Sequence, residues 1–278
     1  MRTLQTQLER FGEQHLDGAL RLSRQAGWPH RPADWRMALS LSDGVAVVDG
    51  DGKVVGTAFV TAFKTDAATI NMVIVDEAMR GQGLGRKLMD AAVRLAGNLQ
   101  LRLVATTDGL PLYEKFGFRK TGSIVQHQGI AGDMPAPPGV EAACLADLPA
   151  IIALDRAACG ADRERMIVSL AMIGEFVVLR RNGRVEAFAG LRPFGRGEVI
   201  GPVVAPSLGD AKALVSHFIA RRPGQFLRVD TDAQAGLADW LAGNGLAHVG
   251  GGITMARPVL HRATPAVTTF ALANQALG

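Results

Sequence analysis

Two turns in this chain recur at nearly one interval, and that recurrence limits the fold more than any other feature. Val178-Leu-Arg-Arg-Asn-Gly-Arg-Val185 overlays Val47-Val-Asp-Gly-Asp-Gly-Lys-Val54, with Gly183 falling on Gly52 (183 − 52 = 131). Trp240-Leu-Ala-Gly-Asn-Gly-Leu246 overlays Leu112-Tyr-Glu-Lys-Phe-Gly-Phe118, with Gly245 on Gly117 (245 − 117 = 128). Unrelated turns would not keep register over such a distance, so the chain reads as one fold written twice. Its 278 residues suit two domains of roughly 100–150 residues. Residues 129–139 lack periodicity and concentrate Gly and Pro. The expected division is a domain over 1–130, a linker over 131–139 and a second domain over 140–278.

Hydrophobic spacing predicts the elements. Leu4, Leu8 and Phe11, then Leu16, Leu20 and Leu22, recur at helical intervals, and the pattern resumes from Ala33 to Leu41, predicting two or three helices. Gly44–Phe63 alternates as a β-hairpin around Asp49–Gly52. A strand over Ala68–Val75 runs into the Gly-rich stretch Arg80–Gly85 and then a helix carrying Leu84, Leu88, Ala91, Ala92 and Leu95. Leu99–Thr107 reads as strand, Leu110–Lys115 as a short helix and Phe118–Gln128 as a closing strand. Val140 onward repeats the scheme: a short strand, helices from Asp147 and from Arg163 to Ile173, and a hairpin over Glu175–Arg192. The fold class is α/β, with a mixed central sheet flanked by helices in each half.

Several function classes fall away on composition. Thirty Lys+Arg against 26 Asp+Glu leave a net charge of +4 without a basic block, which argues against a nucleic-acid partner. Cys144 and Cys159 form no CxxC pair and have no His at ligand spacing, so neither a disulfide framework nor a metal site is expected. The N-terminal residues lack a signal-peptide apolar core, and no run reaches the ~18 apolar residues of a membrane span. The expectation is a cytoplasmic protein without a membrane partner.

The chemistry concentrates in Ile74-Val-Asp-Glu-Ala-Met-Arg-Gly-Gln-Gly-Leu-Gly-Arg-Lys-Leu-Met89. Three alternating glycines let backbone N–H groups converge on an anion, and the helix beginning there aims its positive dipole end at the same point. A Rossmann site fits poorly: the spacing is GxGxG, the glycines follow the strand by about six residues, and no acidic residue closes the next strand. A P-loop lacks its Gly-Lys-Ser/Thr.

Arg80-Gly-Gln-Gly-Leu-Gly85 resembles the coenzyme A pyrophosphate motif of the GNAT N-acetyltransferases, and Pro111-Leu-Tyr-Glu-Lys-Phe-Gly-Phe118 resembles that family's second signature. The resemblance covers about residues 1–130, and the whole layout resembles tandem GNAT proteins with a divergent second unit. It implies acetyl-CoA as cosubstrate, with no metal. It also implies that Gly81, Gln82, Gly83, Leu84, Gly85, Arg86 and Lys87 contact pyrophosphate, that Arg80 shapes the entrance, and that Met72, Val73, Ile74 and Val75 pair with the pantetheine arm. Thr106 stands where the family often has an Asn at the pantetheine contact, and Glu77 where its motif has a Pro. Tyr113, the one Tyr in the chain, takes the place of the family's general acid. A phenol of pKa ~10 is suited to protonating a departing thiolate whose conjugate acid has pKa ~8.5–9.

No residue announces itself as the base that deprotonates the amine. Asp76, Glu77, Asp108, Glu114, His30 and His127 lie near the motifs, and a water relay serves as well. Trp28 and Trp35 either line the acceptor pocket or fill the core. In the second half, Val203–Leu214 keeps one glycine and carries Asp210 at the anion position, and Leu241 replaces Tyr113, so that unit is expected to be non-catalytic. Arg180, Arg181, Arg184, Arg192 and Arg196 read as a solvated face or as an attractor of acidic partners. Val267–Leu277 is expected to pack back on the body or on the partner subunit of a homo-oligomer. The leading acceptor is a small-molecule amine or an amino-acid-like compound; a protein Lys or N-terminus, and a non-catalytic acyl-CoA sensor, stay open.

Overall fold

The computed structural model describes residues 5–260 and 265–278. The first half runs β1 (Thr6–Arg10), α1 (Leu16–Gln25), α2 (Pro32–Leu41), β2 (Asp43–Asp49), β3 (Val54–Phe63), β4 (Ala67–Val75), α3 (Leu84–Ala96), β5 (Gln100–Ala105), α4 (Leu110–Lys115) and β6 (Arg119–Ile130). The hairpin between β2 and β3 closes on Asp49, whose Oδ1 accepts from the amides of Asp51 and Lys53, while Gly52 takes φ +78°. One correction falls at the start. Leu8 sits in strand β1, antiparallel to β2 from Thr6↔Asp49 to Arg10↔Val45, rather than in a helix. Pairing with an exposed sheet edge satisfies the β1 backbone, and the Leu8–Phe11 spacing serves a strand leading into a turn; Leu4 lies outside the described residues. Helices α1 and α2 cover one face of the sheet through Leu16, Leu20, Leu22 and Trp35. Helix α3 covers the other through Leu84, Leu88, Met89 and Ala92.

The second half repeats the plan: β7 (Val140–Ala142), α5 (Leu148–Cys159), α6 (Glu164–Ile173), β8 (Glu175–Arg181), β9 (Arg184–Phe194), β10 (Gly197–Ala205), α7 (Leu208–Ala220), β11 (Phe226–Asp232), α8 (Ala238–Gly243) and β12 (Ala247–Arg257). A last strand, β13 (Thr268–Ala271), follows. All the strands join one sheet in the order β1-β2-β3-β4-β5-β12-β6-β11-β13-β10-β9-β8-β7. The halves have therefore exchanged their closing strands. β12 of the second half pairs with β5 of the first, from Ile253↔Ala105 to Arg257↔Leu101. β6 of the first pairs with β11 of the second, from Ile130↔Phe226 to Ile124↔Asp232. β6 and β12 meet each other at the centre. No helix among the described residues is long and apolar enough to cross a membrane.

Each half opens a cleft between two parallel strands. β4 and β5 pair only at Ala67↔Gln100, Ala68↔Leu101 and Thr69↔Arg102. Beyond that β4 bulges against β3, where Met72 takes φ +50° and its carbonyl accepts from the Thr57 hydroxyl at 2.7 Å. The β5-facing edge of Val73–Val75 is left without a strand partner. In the second half β10 and β11 pair at Glu198↔Leu227, Val199↔Arg228 and Ile200↔Val229 before parting. There β13 enters the gap, pairing Val203↔Ala271, Val204↔Thr269 and Ala205↔Thr268 on one side and Thr231↔Ala271 on the other. Val267–Leu277 packs back on the body in this way.

Candidate active site

The first cleft leads to the N-terminus of α3. Gly83 is its N-cap at φ +81° and Gly81 stands at φ +77°, conformations that disfavour side chains. A Cβ built on either would meet no protein atom within 4 Å. Lys87 is the first residue whose amide closes onto the helix, donating to the Gly83 carbonyl at 3.1 Å. The first-turn amides of Leu84, Gly85 and Arg86 therefore have no intrahelical acceptor. Gly83 has no side chain to cap them, so the helix end suits an external anion.

A groove of 810 Å³ runs from this helix end along β4, lined by Val73, Ile74, Val75, Arg80, Gly81, Gly83, Leu84, Gly85, Thr106 and Tyr113 among others. These sequence-predicted residues are thus brought together. Met72 is buried and lines a neighbouring cavity instead. Gln82, Arg86 and Lys87 do not line the groove with their side chains. The Gln82 amide nitrogen lies 3.7 Å from Met79 Sδ, Arg86 is 3.9 Å from Asp90, and the Lys87 ammonium donates to the Thr6 carbonyl at 3.0 Å.

Tyr113 stands where the groove meets a second cavity of 240 Å³, and it lines both, together with Trp28, Val73 and Thr106. Its ring is buried and packs edge-on to Phe118 at 6.3 Å. Burial pushes the phenol up to about 12, so it stays protonated at neutral pH. Among the described residues its hydroxyl has no hydrogen-bond partner. Thr106 caps the turn leading into α4, its Oγ1 accepting from the Gly109 amide at 3.3 Å.

The 240 Å³ cavity is walled by both halves. His30, Asn71 and Gln126 come from the first, and Arg228, Gly251 and Gln275 from the second. His30 is held down to about 4 by burial, with Arg228 and Arg192 nearby acting in the same direction against Asp34, so its imidazole is neutral. The other groups weighed from the sequence divide cleanly. Trp28 faces both cavities, whereas Trp35 is core, stacked on Phe11 and bonded through Nε1 to Ser23. Glu77 and Asp108 line the groove. Burial would raise Asp76, but hydrogen bonds from Arg21 and the Ala78 amide prevail and hold it below the usual carboxylate range. Glu114 is near Lys120, and His127 is buried against the Leu246 carbonyl, away from the cavity. Asn71, Arg228 and Gln275 had no signal in the sequence, because strand exchange and the C-terminal segment bring the last two in.

The matching features of the second half are closed. Ser207 caps α7, its Oγ accepting from the Asp210 amide at 3.2 Å, and Asp210 itself pairs with Arg181. Leu241, in the place of Tyr113, is fully buried. β13 fills the cleft that stays open in the first half.

Fold and site together define an acyltransferase architecture written twice, and sequence comparison agrees. Residues 42–120 and residues 151–265 each match the acetyltransferase (GNAT) domain. The chain belongs to the GNAT acetyltransferase family, with two such domains in tandem. Over 236 residues it is 27% identical to an uncharacterized N-acetyltransferase, YitH, of Bacillus subtilis, covering 82% of this chain and 83% of that protein. A putative acetyltransferase from Pyrococcus horikoshii superposes with a TM-score of 0.80 at 17% identity, over 100% of this chain and 99% of that one. A tandem GNAT protein from the clavulanic acid biosynthesis pathway superposes with a TM-score of 0.62 at 13% identity, over 91% and 98% of the two chains.

Proposed function

We propose that this protein transfers an acetyl group from acetyl-CoA directly to the amine of a small molecule, with Tyr113 as general acid. The observation that carries the reading is the place of Tyr113: a buried, protonated phenol whose hydroxyl has no partner among the described residues, at the junction of the groove and a small cavity. The open α3 N-terminus would hold the pyrophosphate through backbone amides, with Arg80 at the rim. The unpaired edge of Val73–Val75 would receive the pantetheine amides, and Thr106 lies close by. Acetyl-CoA, bound there, supplies an acetyl group activated as a thioester.

Tyr113 then serves the breaking C–S bond. Its hydroxyl gives a proton to the departing sulfur as the amine nitrogen forms the new C–N bond, and the surplus proton on that nitrogen leaves to water, from which the phenolate is reprotonated. The 240 Å³ cavity, close to the lower end of ordinary ligand-pocket sizes of about 300 Å³, suits a small acceptor better than a polypeptide segment. Residues 140–278 would contribute walls and not a second catalytic centre.

The test is turnover. A panel of amines, screened by free-thiol release from acetyl-CoA, should find acceptors. Tyr113→Phe keeps the ring and removes the donor, so kcat should fall by about 10²-fold with KM for acetyl-CoA little changed. A variant with wild-type kcat, where chemistry limits turnover, would make Tyr113 a packing residue.

A further inference from the structure

The acceptor cavity carries a charge pattern that the reaction itself does not require. Among the described residues no Asp or Glu lines it, and its one formally charged lining residue is Arg228. Arg228 is only 12% exposed in its side chain and makes a paired contact with Asp230, which is fully buried, at 2.9 Å. Behind it lies Arg192, also buried, and both guanidiniums stack on the Phe194 ring, at 4.8 Å and 5.2 Å. Among the described residues Arg192 has no carboxylate partner. Its terminal nitrogens reach only the carbonyls of Pro193 and Ala273, and its Nε has none. The charges that act on it are Asp34, Arg31, Arg228 and Asp230. Of the two carboxylates, Asp34 is taken by Arg31 at 2.7 Å and Asp230 by Arg228. Three guanidiniums thus face two carboxylates, and one buried positive charge is left over. His30, neutral, does not offset it. A buried charge without a counter-charge is costly, and an anion brought in by a ligand would relieve it.

A second, independent feature is also part of the cavity lining. Asn71 donates through Nδ2 to the Thr69 carbonyl at 3.2 Å and to the Thr61 hydroxyl at 2.9 Å. A carbonyl can only accept, which fixes the orientation of the amide and leaves Oδ1 as the unpartnered atom. Asn71 therefore brings a buried, unpartnered carbonyl to the cavity lining, while Arg228 brings donors for an anion.

Resting on the acetyltransferase reading, the geometry points to a particular acceptor class: a small amine that carries a carboxylate, as amino acids do, with the carboxylate received by Arg228 and the amine side turned toward Asn71. Simple alkylamines and polyamines bring only positive charge into a cavity that already has a surplus of it. The substrate's negative group, not its amine, is then the main source of selectivity. Gln126 and Gln275 border the same wall, and the Gln275 amide donates to Asp230 at 3.0 Å, holding the carboxylate that orients Arg228.

The test uses the whole chain and matched pairs: free amino acids against their own primary amides. The amide's amine is less basic, which favours the amide as nucleophile and biases the comparison against the proposal. The wild-type protein should nonetheless show kcat/KM higher for the carboxylates by about tenfold or more, the scale of one charge-assisted hydrogen bond. The double variant Arg228→Gln/Asp230→Asn removes both members of the ion pair, leaves the surplus charge at Arg192 as it was, and should erase that preference while binding acetyl-CoA as before. N-acetylated amino acids against N-acetylated amides, read by melting temperature, give the same comparison without turnover. Equal or better use of the amides, a preference surviving in the double variant, or failure of every carboxylate in both assays would overturn the inference. Acetyl-CoA is the control. If it raises no melting temperature, the underlying acetyltransferase reading falls and takes this one with it; if it does, the acceptor comparison stands alone.

Discussion

Tyr113 illustrates how far single residues could be read. Its place beside the groove was legible, because it lies in a motif at a fixed spacing from the Gly-rich loop, and both line one groove. Its environment was not, since burial depends on Phe118 and on the neighbouring strands. That burial has a measurable consequence. The phenol is raised from 10.0 to about 12, so the folded protein keeps the proton in a range where the unfolded chain loses it. The stabilisation is present in full below pH 10 and is lost as pH rises toward about 12, by roughly 2–3 kcal/mol from this group. Because no other Tyr exists in the chain, tyrosinate absorbance titrates this residue alone. The absorbance should appear near pH 12 in the native protein, and wild type should lose stability against Tyr113→Phe across pH 10–12. A midpoint near 10 in the folded state would mean that the ring is open to solvent. Trp28 and Trp35 carry the same lesson, being alike in sequence and separated only by packing. Met72 at positive φ had no sequence signal at all, since the bulge is imposed by β3 and not by residue type.

Among the elements, the hairpins and the short helix over Leu110–Lys115 were readable from turn chemistry and apolar spacing, which act locally. β1 was misread because spacing of three and four residues between Leu4, Leu8 and Phe11 fits a helix as well as a strand that runs into a turn. Strand exchange was hidden for a deeper reason: an alternating pattern says which face is buried but not which strand lies alongside. The C-terminal segment was seen to be too apolar to hang free, yet its destination needed the cleft between β10 and β11 to be known. β13 does two things there. It fills the second cleft, and the chain beyond it brings Gln275 and Ala276 to the 240 Å³ cavity. Gly278 at its end is held by Arg163, whose Nη1 donates to the carbonyl at 2.6 Å. Phe270→Ala, which removes a buried ring from β13, should cost about 3–5 kcal/mol in chemical denaturation. It should also raise KM for the acceptor while leaving acetyl-CoA affinity unchanged. A loss of stability with both binding constants intact would show that β13 has no part in forming the acceptor wall.

At the scale of the whole molecule, one fold has been used twice with different results. The duplication was legible from turns held in register, and the loss of cradle and phenol in the second copy from Asp210 and Leu241. What remained hidden was that the second copy supplies the first with β12, Arg228 and Gln275, so the halves cannot be read as separate machines. The first copy keeps an open helix end and an unfilled cleft; the second has Ser207 over the helix end and β13 in the cleft. Calorimetric titration with acetyl-CoA tests this most directly. The account predicts one site per chain, with native-state stabilisation of about 2.7 kcal/mol at 100 times Kd. It predicts no site in Gly83→Asn, a substitution chosen because Asn tolerates the positive φ while its side chain occupies the cradle. Two equivalent sites per chain, or an unchanged site in Gly83→Asn, would contradict it.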